Sequence, residues 1–247
     1  MMRETILTIA ENAPLAGSVY RLRLRGDVSA VTAPGQFVNL KLEGFFLRRP
    51  FSVCDWQEGE LTILYKILGR GTAAMTALAP GTALSVLTGL GNGFDMTCAG
   101  DRPLLVGGGV GIPPLYGLAV RLRERGIRPR AVLGFNTAGE AILLDEFRAL
   151  DVETVIATAD GSLGLRGFVT EALAAERDYT YLYTCGPEAM LRAVHGLCRS
   201  GGQFSFEERM GCGFGACMGC SCETVTGSKR ICRDGPVLRK EEILWRT

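Results

Sequence analysis

Five of the chain's nine cysteines fall within the 22 residues from Gly211 to Cys232, GCGFGACMGCSCETVTGSKRIC. Cys212, Cys217, Cys220 and Cys232 are spaced C-x4-C-x2-C-x11-C. Three thiolates from one tight loop and a fourth from further along are the ligand pattern of a 2Fe-2S cluster. Gly211, Gly213, Gly215 and Gly219 give such a loop the backbone freedom to fold back with its N–H groups toward sulfur. Cys222 offers other spacings but is left out, because Cys212, Cys217 and Cys220 already satisfy the pattern. Zinc is the rival metal, although structural zinc usually takes two separate C-x2-4-C knuckles. Disulfides would need an oxidising compartment, and no signal peptide is legible in MMRETILTIAENAPL.

The rest of the composition narrows what such a centre could serve. A chain of 247 residues, 47% hydrophobic, has room for two small domains and an appendage. Net charge is +1 with Lys and Arg dispersed, so neither a nucleic-acid footprint nor a polybasic membrane patch is present. Pro103 to Val120 runs 18 residues without a charge, but its glycines and prolines suit a strand, a turn and a helix better than a membrane span. The expected setting is the cytoplasm. The single histidine, His195, falls in an expected helix (Pro187 to Arg199) with no catalytic partners nearby, and reads as a packing or surface residue.

Two regions must position the cysteines. In residues 1–98, short β-branched and aromatic runs predict an antiparallel barrel: Thr5 to Ala10, Val19 to Arg25, Gln36 to Leu40, Phe51 to Trp56 and Glu60 to Ile67. Turns are expected at Asn12-Ala13-Pro14, Ala33-Pro34-Gly35, Gln57-Glu58-Gly59 and Ala79-Pro80-Gly81, and a short helix within Gly69 to Leu78. Arg48 and Arg49 beside an apolar strand suit either a solvated edge or a diphosphate, which Arg can grip bidentately. Gly71-Thr72 could add backbone donors to the same anion.

Residues 99–205 alternate strands with helices, which predicts a parallel sheet with ligand at the strand carboxyl ends. The strands are Pro103 to Val106, Arg130 to Phe135, Val152 to Thr158, Thr180 to Thr184 and Gln203 to Glu207. The run Gly107-Gly108-Gly109-Val110-Gly111 lacks the G-x-G-x-x-G fingerprint but shares its mechanism, close backbone approach to a diphosphate. Asn136 to Glu140 carries no Lys or Arg for a 2′-phosphate, which favours NAD over NADP. Residues 206–247 form the third region, a cysteine loop and a hairpin with arms Glu223 to Thr226 and Lys229 to Cys232.

Arg49-Pro50-Phe51-Ser52 resembles the R-x-Y/F-S flavin signature of ferredoxin-reductase-like oxidoreductases, and Gly107 to Gly111 with Cys185-Gly186-Pro187 resembles their nucleotide half. The run E-R-M-x-C-G-x-G-x-C-x-x-C (Glu208 to Cys220), then C-x-D-G-P-V (Cys232 to Val237), closely resembles the electron-transfer subunits of class B dihydroorotate dehydrogenases. Gly89-Leu90-Gly91-Asn92-Gly93-Phe94 is similar to a further run of that family. The resemblance implies FAD on Arg49, Pro50, Phe51, Ser52, Tyr65, Lys66, Ile67, Gly71 and Thr72. It implies NAD diphosphate against Gly108, Gly109, Val110 and Gly111, with Cys185 and Gly186 by the nicotinamide, although Cys185 reads equally as a structural thiol. It also implies a separate FMN-containing dihydroorotate dehydrogenase subunit, two copies of each in a heterotetramer, and a route from FMN through 2Fe-2S and FAD to NAD⁺ in pyrimidine synthesis. Related flavin subunits of NAD(P)H-ferredoxin oxidoreductases, sulfite reductases and hydrogenases are the neighbouring alternatives, and a redox-sensing binding protein is the distant one.

Overall fold

The computed structural model describes residues 2–245; Met1, Arg246 and Thr247, at the outer ends of the first and third regions, lie outside the described residues. The first sheet holds β1 (Arg3–Ala16), β2 (Val19–Arg25), β3 (Phe37–Leu40), β4 (Arg49–Ser52), β5 (Asp55–Gln57), β6 (Glu60–Lys66) and β7 (Ala83–Leu90), with helix α1 (Arg70–Met75) between the last two. Strand order is β4-β3-β7-β1-β2-β6-β5, antiparallel throughout. The two ends of that order are one continuous stretch of chain. Through β4 it pairs with β3, and after Val53-Cys54 it pairs through β5 with β6. The sheet therefore closes on itself, and the single strand expected from Phe51 to Trp56 is two strands joined at a corner.

Two expectations along the barrel change. Asn12-Ala13-Pro14 is no turn but part of β1, whose register shifts beside Pro14, where a missing N–H breaks no regular ladder. Asn12 spends its side chain on the end of α1, donating to the carbonyls of Met75 (2.8 Å) and Leu78 (2.9 Å). Strand β7, absent from the expected set, is central, flanked by β1 and β3.

The second sheet follows: β8 (Leu104–Gly108), helix α2 (Ile112–Glu124), β9 (Arg130–Phe135), α3 (Leu144–Ala149), β10 (Glu153–Thr158), β11 (Leu165–Arg166), α4 (Val169–Ala175), β12 (Leu182–Cys185), α5 (Glu188–Leu197) and β13 (Gly202–Ser205). Its order is β11-β10-β9-β8-β12-β13, all parallel. The direction of winding reverses at β8, the switch point where such sheets take ligand. Beyond it come β14 (Ser221–Thr224), β15 (Gly227–Arg230), the single turn α6 (Ile231–Asp234) and β16 (Val237–Arg239), which adds antiparallel to β13 at the edge of the second sheet.

The hairpin turns two residues earlier than expected, at Val225-Thr226. Thr224 Oγ1 donates to the Gly227 carbonyl (2.6 Å) and accepts from the Thr226 amide (3.3 Å), closing the turn there. That shift releases residues 231–234 to form α6, which carries Cys232 back under the loop. Ile231 and Cys232 join Cys220 in an apolar cluster with Phe204 and Leu238 of the sheet and with Phe37, Leu87 and Leu90 of the barrel.

Candidate functional site

In the cysteine loop the amides point at sulfur. Cys212 Sγ accepts from the backbone N–H of Ala216 (3.2 Å), Phe214 (3.5 Å) and Cys217 (3.5 Å). Cys217 Sγ accepts from Cys212 (3.4 Å) and Gly219 (3.5 Å), and Cys220 Sγ from Cys232 (3.4 Å). Gly213 and Gly215 take left-handed conformations to allow this, whereas Gly211 and Gly219 instead lie against the Cys217 sulfur. Burial alone would raise the Cys212 thiol, but the Phe214 and Cys217 amides, the Cys217 side chain and the Ala216 amide bring it down to about 6. Cys232 is pushed up to about 12 by burial and by neighbouring Cys220.

The thiols thus fall in two contacting pairs, Cys212 with Cys217 and Cys220 with Cys232, and Cys212 is close enough to act on Cys232. Among the described residues no three histidine, cysteine or carboxylate side chains converge as the ligands of one ion do. Two thiol pairs with amides aimed at sulfur fit a two-iron cluster better than a single tetrahedral zinc. Cys222 sits on β14 opposite Lys229, half-buried against the same apolar cluster that holds Cys220 and Cys232. Arg230 straps the loop down, bonding the Gly215 carbonyl (3.0 Å) and Asp234 (3.0 Å).

At one end of the barrel a recess of about 570 Å³ is lined by Gly44, Phe45, Phe46, Arg49 and Leu68 to Thr72. Arg49 stacks over Phe45 (5.0 Å) and donates to the Leu47 carbonyl (2.6 Å). A Cβ on Gly71 would come within 2.5 Å of Arg49 Nε, so only glycine lets the guanidinium lie across the start of α1. An arginine lying across the first turn of α1 in one open recess fits a diphosphate. Arg48 turns elsewhere, to Glu4 (2.6 Å) and the Ser85 carbonyl (3.0 Å). Pro50, Phe51 and Ser52 are half-buried on β4. Tyr65 belongs to the core: its ring packs on Phe51 and Tyr20, and its hydroxyl donates to Asn12 Oδ1 (2.9 Å). Ile67, just past β6, bonds the Ser18 carbonyl (2.9 Å).

A second cleft, about 500 Å³, opens at the carboxyl ends of β8, β9, β12 and β13, where the barrel meets the sheet. Gly108, Gly109, Val110 and Gly111 line it with Gly186, and Lys66 enters from the barrel. A Cβ on Gly111 would meet the Cys185 carbonyl at 2.5 Å, so the glycine turn presses directly on the end of β12. Backbone brought this close without side chains fits a dinucleotide diphosphate. Cys185 does not line the cleft; it is buried beneath, and burial raises its thiol. Lys66 bonds Glu140 Oε1 (3.3 Å), whose other oxygen takes Asn136 Nδ2 (2.8 Å).

Glu207 and Asn39 lie outside the sequence motifs, and Asn92 lies within one to which no role was given. Glu207 lines the cleft just after β13; its surface is open, yet the surrounding protein raises its carboxyl by burial, the state of a group on the wall of a deep recess. Asn39 and Asn92 tie the barrel to the cysteine segment. A polar residue amid Phe37-Val38 and Leu40 was the only sequence signal for Asn39.

A closed antiparallel barrel, a doubly wound sheet with a glycine cleft facing it, and a four-thiol loop against both define a pyridine-nucleotide-linked redox protein. Residues 207–244 match the iron-sulfur cluster binding domain of dihydroorotate dehydrogenase B. The chain is 43% identical over 251 residues to the dihydroorotate dehydrogenase B (NAD(+)) electron transfer subunit of Bacillus caldolyticus, covering 96% of this chain and 97% of that one. It is 41% identical to the subunit from Geobacillus sp. (strain WCH70), covering 99% and 100%. Among solved structures it is similar to an NADH-dependent reduced ferredoxin-NADP oxidoreductase (TM-score 0.88, 30% identity, 98% of this chain and 90% of that chain). Phthalate dioxygenase reductase shares the fold at 22% identity (TM-score 0.63, 78% of this chain and 64% of that chain). The chain belongs to the family of dihydroorotate dehydrogenase B electron transfer subunits. No helix among the described residues is long and apolar enough to cross a membrane.

Proposed function

We propose that the chain carries electrons between NAD and a separate FMN-containing subunit that oxidises dihydroorotate, two copies of each forming a heterotetramer that serves pyrimidine synthesis. Nine cysteines without a disulfide support a cytoplasmic setting. The observation that carries the reading is the cysteine loop, where six backbone amides converge on thiol sulfurs grouped two and two. When bound, the cluster supplies one-electron exchange and FAD links it to the two-electron hydride chemistry of NAD.

Three regions share the work: 1–98 for FAD, 99–205 for NAD and 206–247 for the cluster. Cys212, Cys217, Cys220 and Cys232 hold the cluster, and the loop amides balance its negative charge. Arg49, Gly71 and Thr72 bind the FAD diphosphate, while Pro50, Phe51 and Ser52 with Tyr65 to Ile67 shape the barrel wall for the ring. Gly108 to Gly111 take the NAD diphosphate, and Cys185-Gly186 mark the nicotinamide end. Phe214 and Met218, 43% and 55% exposed on the loop, form the apolar face offered to the catalytic subunit.

Mixed with the FMN dehydrogenase subunit, the chain should support dihydroorotate-dependent NAD⁺ reduction; its absence, with NADH-to-dye turnover intact, would reject the reading. Arg49→Ala should weaken FAD binding about ten- to hundredfold, the worth of a charge-assisted contact of roughly 1.5–3 kcal/mol. The similarity over 98% of the chain to a ferredoxin-NADP oxidoreductase supports one alternative, a ferredoxin-linked flavin subunit. Ferredoxin reduction without dihydroorotate turnover would select it.

A further inference from the structure

Asn39 lies in the middle of β3, 1% exposed, among apolar neighbours. Val38 and Leu40 point into the barrel core with Phe51. Alternation along the strand sends Asn39 to the opposite face, the one turned to the cysteine loop. There its Nδ2 donates to the Cys212 carbonyl (3.3 Å), a bond spanning 173 residues of sequence. The approach is tight: a Cβ on Gly213, whose φ is +80°, would fall 2.3 Å from Asn39 Nδ2. Across the ladder Asn39 pairs with Pro50, inside the strand that carries Arg49 and Phe51.

Packing alone does not account for an amide here. Asn39 Oδ1 is buried with no partner among the described residues. An unsatisfied buried oxygen costs roughly 1–3 kcal/mol. A leucine, like the flanking Leu40, would avoid that cost. Just past adjacent strand β7, Asn92 makes a second tie, bonding the Gly235 carbonyl (2.7 Å) and Val237 (2.8 and 3.1 Å) just beyond Cys232. That side is also held by apolar packing of Cys220, Ile231 and Cys232 on Phe37, Leu87 and Leu90. On the Cys212 side, Asn39 supplies the side-chain bond to the barrel.

We propose that Asn39 is a positioning residue that fixes the Cys212 half of the cluster loop against the flavin-binding strand and so sets electron exchange between cluster and flavin. This rests on the functional reading above. The test uses the full chain with its cofactors and the variants Asn39→Leu, which keeps the volume, and Asn39→Asp, which keeps the shape but loses the donor. Hydrogen exchange at the Phe214, Ala216 and Cys217 amides should quicken about fivefold in Asn39→Leu, the opening expected on losing a bond of roughly 1 kcal/mol, and further in Asn39→Asp, whose buried carboxylate faces the Cys212 carbonyl. The cluster EPR signal should persist, and NADH should reduce the flavin at an unchanged rate but the cluster more slowly. Asn92→Ala should leave exchange at those three amides unchanged. Unaltered loop exchange and unaltered cluster reduction in a cluster-bearing Asn39→Leu or Asn39→Asp protein would overturn the inference alone. A wild-type chain without the cluster signal would overturn the functional reading beneath it.

Discussion

The two halves of the cysteine site obey different physics. Cys212 and Cys217 lie on an outer loop, half-buried and exposed, with five of the amide-to-sulfur bonds between them. Cys220 and Cys232 lie under the hairpin in an apolar cluster, 2% and 1% exposed, with one such bond. Hydrogen bonding brings Cys212 down to about 6, whereas burial and Cys220 push Cys232 up to about 12. One half is organised by polar backbone and remains open to a partner. The other is organised by packing and anchors the site to both larger regions. A centre that exchanges electrons with another protein needs both properties, and this loop divides them between its ends.

The comparison breaks most visibly with one charge placed on each side. Ile231→Asp buries a carboxylate at a position with 0% exposure and should cost several kcal/mol, with loss of the cluster and a large fall in Tm. Phe214→Asp, on the outer half, should keep cluster, Tm and NADH-to-dye turnover while weakening complex formation and dihydroorotate-dependent NAD⁺ reduction. Equal damage from the two would erase the distinction. A smaller effect is expected in chemical modification of the cluster-free chain. Alkylation should reach Cys217 and Cys212 well before Cys220 and Cys232, and the Cys212 rate should reach half its maximum near pH 6. Peptide mapping across a pH series reads this directly.

The smallest effect lies outside the loop and serves as its control. Burial raises the Glu207 carboxyl, so the folded chain holds that proton more tightly than the unfolded one. The penalty is absent below the unfolded pKa and grows as pH rises through the folded one. Glu207→Gln cannot ionise and should gain on wild type from acid toward neutral pH, by no more than about 2–4 °C in Tm given the open cleft. Its cluster signal should not change.

What local spacing made legible in the sequence was the clustering of four thiols, an arginine beside a barrel strand, a glycine run at the end of a strand and the alternation that predicts a parallel sheet. Contacts set by long-range register were not. Nothing local shows that Arg49 to Gln57 turns a corner and closes the barrel, or that Val237 to Arg239 returns to the second sheet. Asn12 and Pro14 look like a turn because their types favour one, but tertiary pairing overrides that preference. Cys185 shows the converse: its strand-end motif lies at the cleft, yet the thiol is buried beneath it.

The central assignment is most directly tested by EPR of the reduced chain in a five-member serine series. Cys212→Ser, Cys217→Ser, Cys220→Ser and Cys232→Ser should each abolish or alter the 2Fe-2S signal, and Cys222→Ser should leave it as in wild type. A cluster lost with Cys222→Ser but kept unchanged with Cys220→Ser would contradict the two-pair site.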